Sequence, residues 1–317
     1  MAFYDVFNGD ADGICSLLQL RQLAPQDSQL VTGVKRDINL LDRVQAALGD
    51  SVTALDISFD KNREDVLRLL DSGARIFYCD HHHAGDIPEH EHLTTLINIS
   101  PEVSTSALIN GYLKGARAGW AVVGCYGDNL DATAEKIAAT SSSPIDLARY
   151  KELGVLINYN GYGAQVSDLH FAPEVLFQRL LPHQDPSACM ADDPDLIATL
   201  SAAYADDMAL AEQAPRLVNS PSIVVVEFPD APWARRVSGV YGNALANGAP
   251  DTAHAVLTQI DGGYLVSVRA PLNARAGADE LCRQFATGGG RAAAAGINLL
   301  PVESLAAFID AMGKQYR

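Results

Sequence analysis

Acidic residues follow four short apolar runs of this chain, and one run leads directly into two histidines. The runs occupy residues 2–7, 52–55, 76–79 and 121–125, and they lead to Asp10 and Asp12, to Asp56, to Asp80-His81-His82 and to Asp128. Carboxylates that gather in one place take up protons unless cations neutralise them. Two divalent ions would balance the charge of four carboxylates, those of Asp10, Asp12, Asp56 and Asp128. A mixed carboxylate and imidazole ligand set favours Mn²⁺, with Mg²⁺ or Co²⁺ as alternatives.

A parallel β-sheet would bring these side chains together. Buried apolar runs that alternate with amphipathic helical segments, such as residues 14–20, are typical of βαβ units. Ligand sites of such α/β domains form beyond the carboxyl ends of the strands. The pattern therefore predicts an α/β fold with a metal centre at one edge of its sheet.

Each of these residues also has a purely structural interpretation. An Asp that follows a strand often caps the next helix, and Asp12 and Asp60 are both placed to do so. A single histidine such as His81 is more often a satisfied or exposed residue than a ligand. The combination in one chain favours a metal site over these separate roles. His83 is predicted to be exposed or to contact the ligands without binding the metal itself.

Length and composition predict two domains and an acidic surface. The 317 residues are divided into a catalytic domain over 1–190, a helical linker over 191–217 and a smaller domain over 218–317. A net charge of −16 argues against a long nucleic-acid footprint, which needs basic stripes. Five scattered cysteines without CxxC spacing predict reduced, buried thiols. No apolar run reaches membrane-spanning length, and we expect a cytoplasmic protein.

Helical and strand patterns divide the last third of the chain. Residues 196–217 have the spacing of a connecting helix, and residues 222–227 that of a strand. Around Asp261-Gly262-Gly263, a hairpin is predicted, and a final helix follows. The hairpin strands are residues 255–260 and 264–269, and the final helix is residues 304–315.

The order of the motifs resembles that of the DHH phosphoesterases. The four motifs of that family look like residues 8–13 (Asn-Gly-Asp-Ala-Asp-Gly), Asp56, residues 80–82 and residues 126–129. Residues 104–107 resemble its small-residue segment that opens a helix, and residues 288–296 resemble the GGGHxxAAG signature of the DHHA1 substrate-binding domain. The resemblance covers nearly the whole chain. It implies a parallel-sheet DHH domain and a smaller α/β DHHA1 domain, with the active site in the cleft between them.

The resemblance also implies roles for these residues. Asp56 would bridge two metal ions, Asp10 would serve one of them, and the other would be held by Asp12, His81 and Asp128. His82 would contact the scissile phosphate or the leaving group, and Asp80 would orient a histidine. With His82, Asp56 and Asp80 as catalytic residues, the mechanism implied is in-line attack on phosphorus by a metal-activated water.

Two positions depart from the pattern of that family. Many members carry a metal-binding His four residues before the first Asp, and Val6 stands there in this chain, in a motif that resembles the RecJ exonuclease branch. One of the two metal sites is therefore predicted to be weak or differently built. Arg291 replaces the His of the DHHA1 signature. Its guanidinium can hold a phosphate but cannot transfer a proton at neutral pH.

Substrate contacts are predicted in the second domain. Arg269, in an S-x-R element, and Arg291 would meet a phosphate, together with the backbone amides of Gly288, Gly289 and Gly290. Without the resemblance, these glycines would form a helix C-cap and a tight turn after a helix over 278–285. Arg269 would then be an edge-strand charge.

Two asparagine-containing segments of the first domain have open interpretations. Asn8 would either supply a carbonyl oxygen to the substrate site or close the turn before the first helix. Residues 158–163, Asn-Tyr-Asn-Gly-Tyr-Gly, would either form a structured turn or stack a base.

Together these residues predict a metal-dependent phosphoesterase that hydrolyses short nucleotide phosphate esters, such as oligoribonucleotides or 3′-phosphoadenosine nucleotides. A hydrolase of inorganic polyphosphate or pyrophosphate is the alternative, which Arg291 favours slightly. A RecJ-type exonuclease on long single strands fits the short acidic chain less well, and a nucleotide-binding protein without turnover is a further alternative. The expected partner is a small phosphorylated substrate, with no long nucleic acid and no membrane. A homodimer is left open.

Overall fold

Strands and helices alternate through the first part of the computed structural model, which describes residues 1–317. The chain forms two compact units, residues 1–201 and 202–317. The division falls inside a helix, Pro194–Glu212, in the region that the sequence assigned to a helical linker. None of the helices is both long and apolar enough to span a membrane.

The first unit is built on a sheet of five parallel strands, in the order β2-β1-β3-β4-β5. The strands are β1 Phe3–Phe7, β2 Gln29–Val31, β3 Ser51–Leu55, β4 Arg75–Asp80 and β5 Leu93–Ile97. The parallel α/β fold that the sequence predicted is thereby confirmed. One face of the sheet packs Val6, Val52 and Ile76 against Phe59 and Leu69 in an apolar core.

Nine helices belong to the first unit or connect it to the second. They are α1 Ala11–Leu23, α2 Phe59–Asp71, α3 Thr105–Tyr112, α4 Ala118–Gly127, α5 Asp131–Thr140, α6 Leu147–Gly161, α7 Pro173–Leu180, α8 Pro186–Asp192 and α9 Pro194–Glu212. Helices α1 and α2 follow β1 and β3 directly, so their first turns start at the carboxyl ends of these strands. This places the first turns beside the predicted metal ligands.

The second unit is a six-stranded mixed sheet with three helices. Its strands, β6 Arg216–Asn219, β7 Ile223–Phe228, β8 Ala253–Ile260, β9 Gly263–Arg269, β10 Gly288–Gly290 and β11 Ala294–Pro301, lie in the order β10-β11-β9-β8-β7-β6. Its helices are α10 Pro232–Gly248, α11 Ala278–Cys282 and α12 Leu305–Gln315. The predicted strand, hairpin and final helix are confirmed within two residues at each end. Only β7 and β8 are parallel.

The apolar run before Asp128 was expected to be a strand, and this expectation is wrong. Residues 121–125 lie within α4, which is buried around almost its whole circumference. A helix that is apolar on all sides carries no periodicity that distinguishes it from a buried strand. Asp128 still follows the end of an element, because it is the C-cap residue of this helix.

Three further boundaries differ from the sequence expectations. The connecting helix ends at Glu212 instead of Leu217, because residues 216–219 pair with β7. Residues 158–161 belong to α6 and do not form a separate turn. Gly288–Gly290 pair with β11 after a helix that ends at Cys282. A Cβ at Gly288 would lie 1.8 Å from the Cys282 carbonyl oxygen, so glycine is needed for this close approach.

All five cysteines are buried and unpaired, as the scattered spacing predicted. They are Cys15, Cys79, Cys125, Cys189 and Cys282. Burial raises the pKa of Cys125 to about 12, which keeps its thiol protonated.

Candidate metal centre

The turn from β1 into α1 delivers the first two carboxylates. Asp10 is the N-cap of α1, and its Oδ1 accepts a hydrogen bond of 3.0 Å from the backbone N–H of Gly13. Asp12 lies in the first turn and is fully buried. A Cβ at Gly13 would lie 2.2 Å from the Asn8 carbonyl oxygen, so the turn can close this tightly only with glycine there. The sequence suggested Asp12 as a cap, but Asp10 takes that role.

Asp56 extends beyond β3 in a left-handed backbone conformation, with φ of 59°. Asp and Asn adopt this conformation more readily than other residues that have a Cβ. The backbone N–H of Asp56 donates to the Cys79 carbonyl oxygen over 3.0 Å, which holds the buried carboxylate beside the end of β4.

His81 directs one ring nitrogen at three carboxylates. Its Nδ1 lies 2.7 Å from the Val103 carbonyl oxygen, and because a carbonyl can only accept, Nδ1 carries the proton. The Nε2 atom faces the carboxylate oxygens. It lies 3.4 Å from Asp56 Oδ1, 3.5 Å from Asp128 Oδ2 and 3.9 Å from Asp12 Oδ2. We call these four residues the His81 cluster.

The amino terminus of α3 fixes two members of this cluster. The backbone N–H groups of Thr105 and Ser106 donate to the two Asp12 oxygens over 2.7 and 2.8 Å. The Thr105 hydroxyl donates to Asp56 Oδ1 over 3.0 Å. These donors orient the carboxylates and, with the positive end of the helix dipole, offset part of their charge.

The burial and mutual repulsion of these carboxylates raise the pKa values of Asp12 and Asp56. Burial, followed by the nearby Asp128, raises the pKa of Asp12 above its ordinary value. Burial and the charge of Asp12 raise the pKa of Asp56 further still. Carboxyl groups in this position tend to stay protonated and uncharged unless a cation binds beside them.

The ligand atoms around His81 lie close enough together to bind a metal ion. Ligand atoms bonded at about 2.1 Å to an octahedral ion lie roughly 3.0 Å apart when adjacent and roughly 4.2 Å apart when opposite. The three distances from His81 Nε2 fall within this range. Ligand atoms of Asp12, His81 and Asp128 lie within 4.8 Å of one another, and so do those of Asp56, His81 and His82.

His82 and Asp80 form a pair beside the cluster. Asp80 is fully buried, and its Oδ2 accepts from the backbone N–H of Phe59 over 3.3 Å. Its Oδ1 lies 2.7 Å from Nδ1 of His82, whose side chain is 43% exposed. Burial alone would lower the pKa of His82, but the hydrogen bond to Asp80 outweighs it and raises that pKa. His83 is exposed, as predicted.

The sequence reasoning missed Lys35, whose ammonium lies among the predicted ligands. Its Nζ is 2.5 Å from Asp10 Oδ2, 3.2 Å from Asp128 Oδ1 and 3.0 Å from Asn158 Oδ1. Burial would lower the pKa of Lys35, but Asp10 and Asp128 outweigh it and raise that pKa well above its ordinary value. Lys35 likewise holds the pKa of Asp10 below its ordinary value, against burial.

A signal for Lys35 exists in the sequence. It follows the apolar residues of β2 just as Asp10, Asp56 and Asp80 follow theirs, and β2 is a neighbour of β1 in the sheet. Lys35 is missed when only acidic residues and histidines are considered as site residues.

Asn8 makes contacts that close the turn before α1, which was one of the two roles predicted for it. Its side-chain oxygen accepts from the backbone N–H of Asp10 over 3.3 Å, and its Nδ2 donates to the Lys35 carbonyl oxygen over 3.2 Å. It is buried. Its predicted contact with substrate stays a prediction.

The substrate residues predicted in the second unit lie at one end of its sheet. Arg269 pairs with Ala294 across β9 and β11, and a turn from Arg291 to Ala294 connects β10 with β11. Arg269 donates to Asn243 Oδ1 over 2.6 Å and to Ser267 Oγ over 3.0 Å. Arg291 is exposed. The structure thus brings Arg269, Arg291 and Gly288–Gly290 to the same end of this sheet.

Comparisons with solved structures identify the fold. No family model and no curated protein matches the chain. A structure of exonuclease RecJ bound to manganese covers 98% of this chain and 89% of its own, at 18% identity and a TM-score of 0.57. The pGpG-specific phosphodiesterase PggH from Vibrio cholerae covers 99% of this chain and 100% of its own, at 16% identity and a TM-score of 0.59.

A second RecJ structure, from Thermus thermophilus in complex with Mn²⁺, covers 99% of this chain at 18% identity and a TM-score of 0.59. The chain spans about half the length of that protein, 51%. At these identities the likeness concerns the fold. The chain therefore has the two-domain fold of the DHH/DHHA1 phosphoesterases, as its motifs predicted.

Proposed function

We propose that the protein is a divalent-metal-dependent hydrolase of phosphate esters in short nucleotides. The observation that carries this proposal is the His81 cluster. The Nε2 atom of His81 faces three carboxylates, two of them buried, at 3.4 to 3.9 Å, an arrangement that suits a bound cation. The fold, which RecJ and PggH share, supports the same class of chemistry.

Asp12, Asp56, His81 and Asp128 would hold the ion. A divalent ion there supplies a Lewis acid, which lowers the pKa of water and withdraws charge from phosphoryl oxygens. The hydrogen bond from His81 to Val103 keeps Nε2 available as a ligand, and the donors of α3 fix the direction of Asp12. The protein thereby sets the ligand geometry before the ion or substrate arrives.

His82 is proposed to donate a proton to the leaving oxygen. Its Nδ1 is bound to Asp80, so the free Nε2 is the nitrogen that can reach a substrate. The raised pKa of His82 keeps the ring protonated over more of the neutral range. Asp80 acts through His82 as a positioning residue.

Short nucleotides are the substrate class that the chain favours. Its net charge of −16 opposes binding of a long phosphate backbone. PggH is a phosphodiesterase specific for the dinucleotide pGpG, and it has the same fold over its whole length. Arg269 and Arg291 are retained as predicted contacts of the substrate phosphate, and the exposed guanidinium of Arg291 can bind a phosphate with two parallel hydrogen bonds.

A substrate panel tests the proposal. The purified protein with Mn²⁺ is given RNA of two to five nucleotides and 3′-phosphoadenosine nucleotides, and released mononucleotides and phosphate are quantified. We expect hydrolysis of at least one class, and we expect Asp12→Asn to abolish it. A protein that binds Mn²⁺ but hydrolyses neither class would not have the proposed function. Nucleotide binding without turnover would point to a regulatory role instead.

Arg291 supports a second candidate, the hydrolysis of inorganic polyphosphate or pyrophosphate. A guanidinium in place of the signature histidine binds phosphate without requiring a base nearby. Competition experiments separate the two functions. If nucleosides and nucleotides of the same phosphate number bind no better than the inorganic anion, the polyphosphate reaction is favoured.

A further inference from the structure

The ammonium of Lys35 has no donor left for another partner. It has three N–H groups, and three acceptors surround it: Asp10 Oδ2 at 2.5 Å, Asn158 Oδ1 at 3.0 Å and Asp128 Oδ1 at 3.2 Å. The ring of Tyr162 lies 5.5 Å from Nζ and adds a cation–π contact. Lys35 is therefore a fixed part of the site, held by its contacts with Asp10, Asp128 and Asn158.

The backbone of Lys35 is held on both sides. Its N–H donates to the Gly161 carbonyl oxygen over 2.8 Å, and its carbonyl oxygen accepts from Asn8 Nδ2 over 3.2 Å. The Lys35 side chain is 24% exposed. These contacts direct the side chain into the site from a fixed point, unlike a surface lysine that samples many rotamers.

Asp10 offers no unengaged oxygen to a second ion. Both oxygens of Asp10 already accept hydrogen bonds, one from Gly13 and one from Lys35. Val6, which stands where a ligating histidine is expected, is fully buried in the apolar core. A second divalent ion bound to Asp10 would have to displace the ammonium or lie beside it against charge repulsion.

We propose that Lys35 takes the place of one of two metal ions, so that the protein binds a single divalent ion in the His81 cluster. This inference rests on the proposed metal-dependent function and specifies how its site is built. Four carboxylates then meet one divalent ion and one ammonium. Lys35 also acts as a positioning residue, because it holds Asp128 Oδ1 while Oδ2 lies 3.5 Å from His81 Nε2.

Metal stoichiometry tests this inference without an activity assay. The full-length protein is titrated with Mn²⁺, bound metal is counted by mass spectrometry, and electron paramagnetic resonance distinguishes isolated ions from exchange-coupled pairs. We expect one isolated Mn²⁺ per chain in the wild type. In Lys35→Gln, we expect bound Mn²⁺ to rise toward two per chain, with a coupled signal. Lys61→Gln, at an exposed lysine of α2, is the control and should bind one.

The outcomes separate this inference from the proposed function. Two coupled ions in the wild type would overturn the inference and leave the hydrolase proposal in place. One ion in both the wild type and Lys35→Gln would overturn it as well, because Lys35 would not be what excludes the second ion. Absence of Mn²⁺ binding in the wild type would refute the metal-dependent function itself, and the inference with it.

Affinity measurements on two aspartates provide a second readout. If Asp10 binds Lys35 instead of an ion, Asp10→Asn should weaken Mn²⁺ binding by roughly tenfold, the size of an effect transmitted through a neighbouring ligand. Asp12→Asn removes a ligand directly and should weaken binding by well over the roughly hundredfold limit of such indirect effects. Equal losses in the two variants would contradict the proposed arrangement.

Discussion

Two groups of buried ionisable residues, one in each unit, are neutralised to different extents. In the second unit, buried Asp207 is paired with Arg236 at 2.7 and 3.0 Å, and His254 stays neutral because burial lowers its pKa to about 4. In the first unit, backbone N–H groups orient Asp12, the Thr105 hydroxyl orients Asp56, and Lys35 holds Asp128. The charge of Asp207 is neutralised within the protein, whereas the single ammonium of Lys35 leaves part of the charge of the His81 cluster unbalanced.

The difference distinguishes groups that serve stability from groups that serve binding. An internal ion pair such as Asp207–Arg236 is satisfied as soon as the chain folds. An oriented set of carboxylates without a cation costs folding free energy until a ligand arrives. Substitutions in the two units should therefore affect different measurements.

The largest expected effect is that of Asp56→Asn on hydrolysis. Asn also tolerates the left-handed backbone at this position, so the fold is kept while a carboxylate ligand is lost. We expect phosphate release to fall by roughly 1000-fold, as when preorganised electrostatic stabilisation is removed. Asp60→Asn, at an exposed residue of α2, is the matched control and should retain full activity. Comparable losses in both variants would show that hydrolysis does not depend specifically on the Asp56 carboxylate.

A smaller loss is expected from His82→Asn, measured against His83→Asn. His82 is oriented by Asp80, and loss of a proton donor costs roughly 100-fold in kcat. The exposed His83 has no such role, and its variant should turn over substrate at the wild-type rate. If the two variants lose equal activity, His82 does not act through its bond to Asp80.

In the second unit, His254 should affect stability and not activity. Its folded pKa, about 4, lies below the ordinary value of 6.5. As pH falls from 6.5 toward 4, the unfolded chain takes up a proton that the folded chain refuses, and stability is lost. The loss at pH 5 should be about 1–2 kcal/mol. Urea unfolding at pH 7 and pH 5 should show a smaller difference for His254→Gln than for the wild type, while His90→Gln, at an exposed histidine, should behave like the wild type.

The smallest expected effect is an increase in stability of the metal-free protein. Because burial and Asp12 raise the pKa of Asp56, its charge opposes folding when no cation is bound. In the presence of EDTA, Asp56→Asn should be more stable than the wild type by about 1 kcal/mol, or about 2–4 °C in Tm. Added Mn²⁺ should then raise the Tm of the wild type only. A less stable variant would mean that the carboxylate is already satisfied within the protein.

Residues that follow strands were predictable from the sequence because an apolar run ending in a polar residue marks the edge of a sheet. Asp10, Asp56 and Asp80-His81-His82 were placed in this way, and so was the parallel sheet. The helix before Asp128 was not, since an element that is apolar on every face has no periodicity.

Groups that act through the backbone left no pattern to find, and the sequence does not reveal which residues of distant elements meet. The Val103 carbonyl is a main-chain atom, which every residue type supplies equally. Lys35 and Asn158 meet although 123 positions separate them, and only the packing of α6 against the turn after β1 brings them together. The strand at Gly288–Gly290 was missed because glycine has little preference for strands.

The short segment from Val103 to Ser106 controls the first unit's ligands through main-chain atoms. Its contacts are the Val103 carbonyl, which receives His81, and the N–H groups of Thr105 and Ser106, which hold Asp12. Substitutions there change side chains and leave these three contacts available, whereas the insertion or deletion of one residue would shift all of them at once. Main-chain contacts therefore constrain the length of this segment, and the hydrogen bond from the Thr105 hydroxyl to Asp56 constrains its sequence in addition.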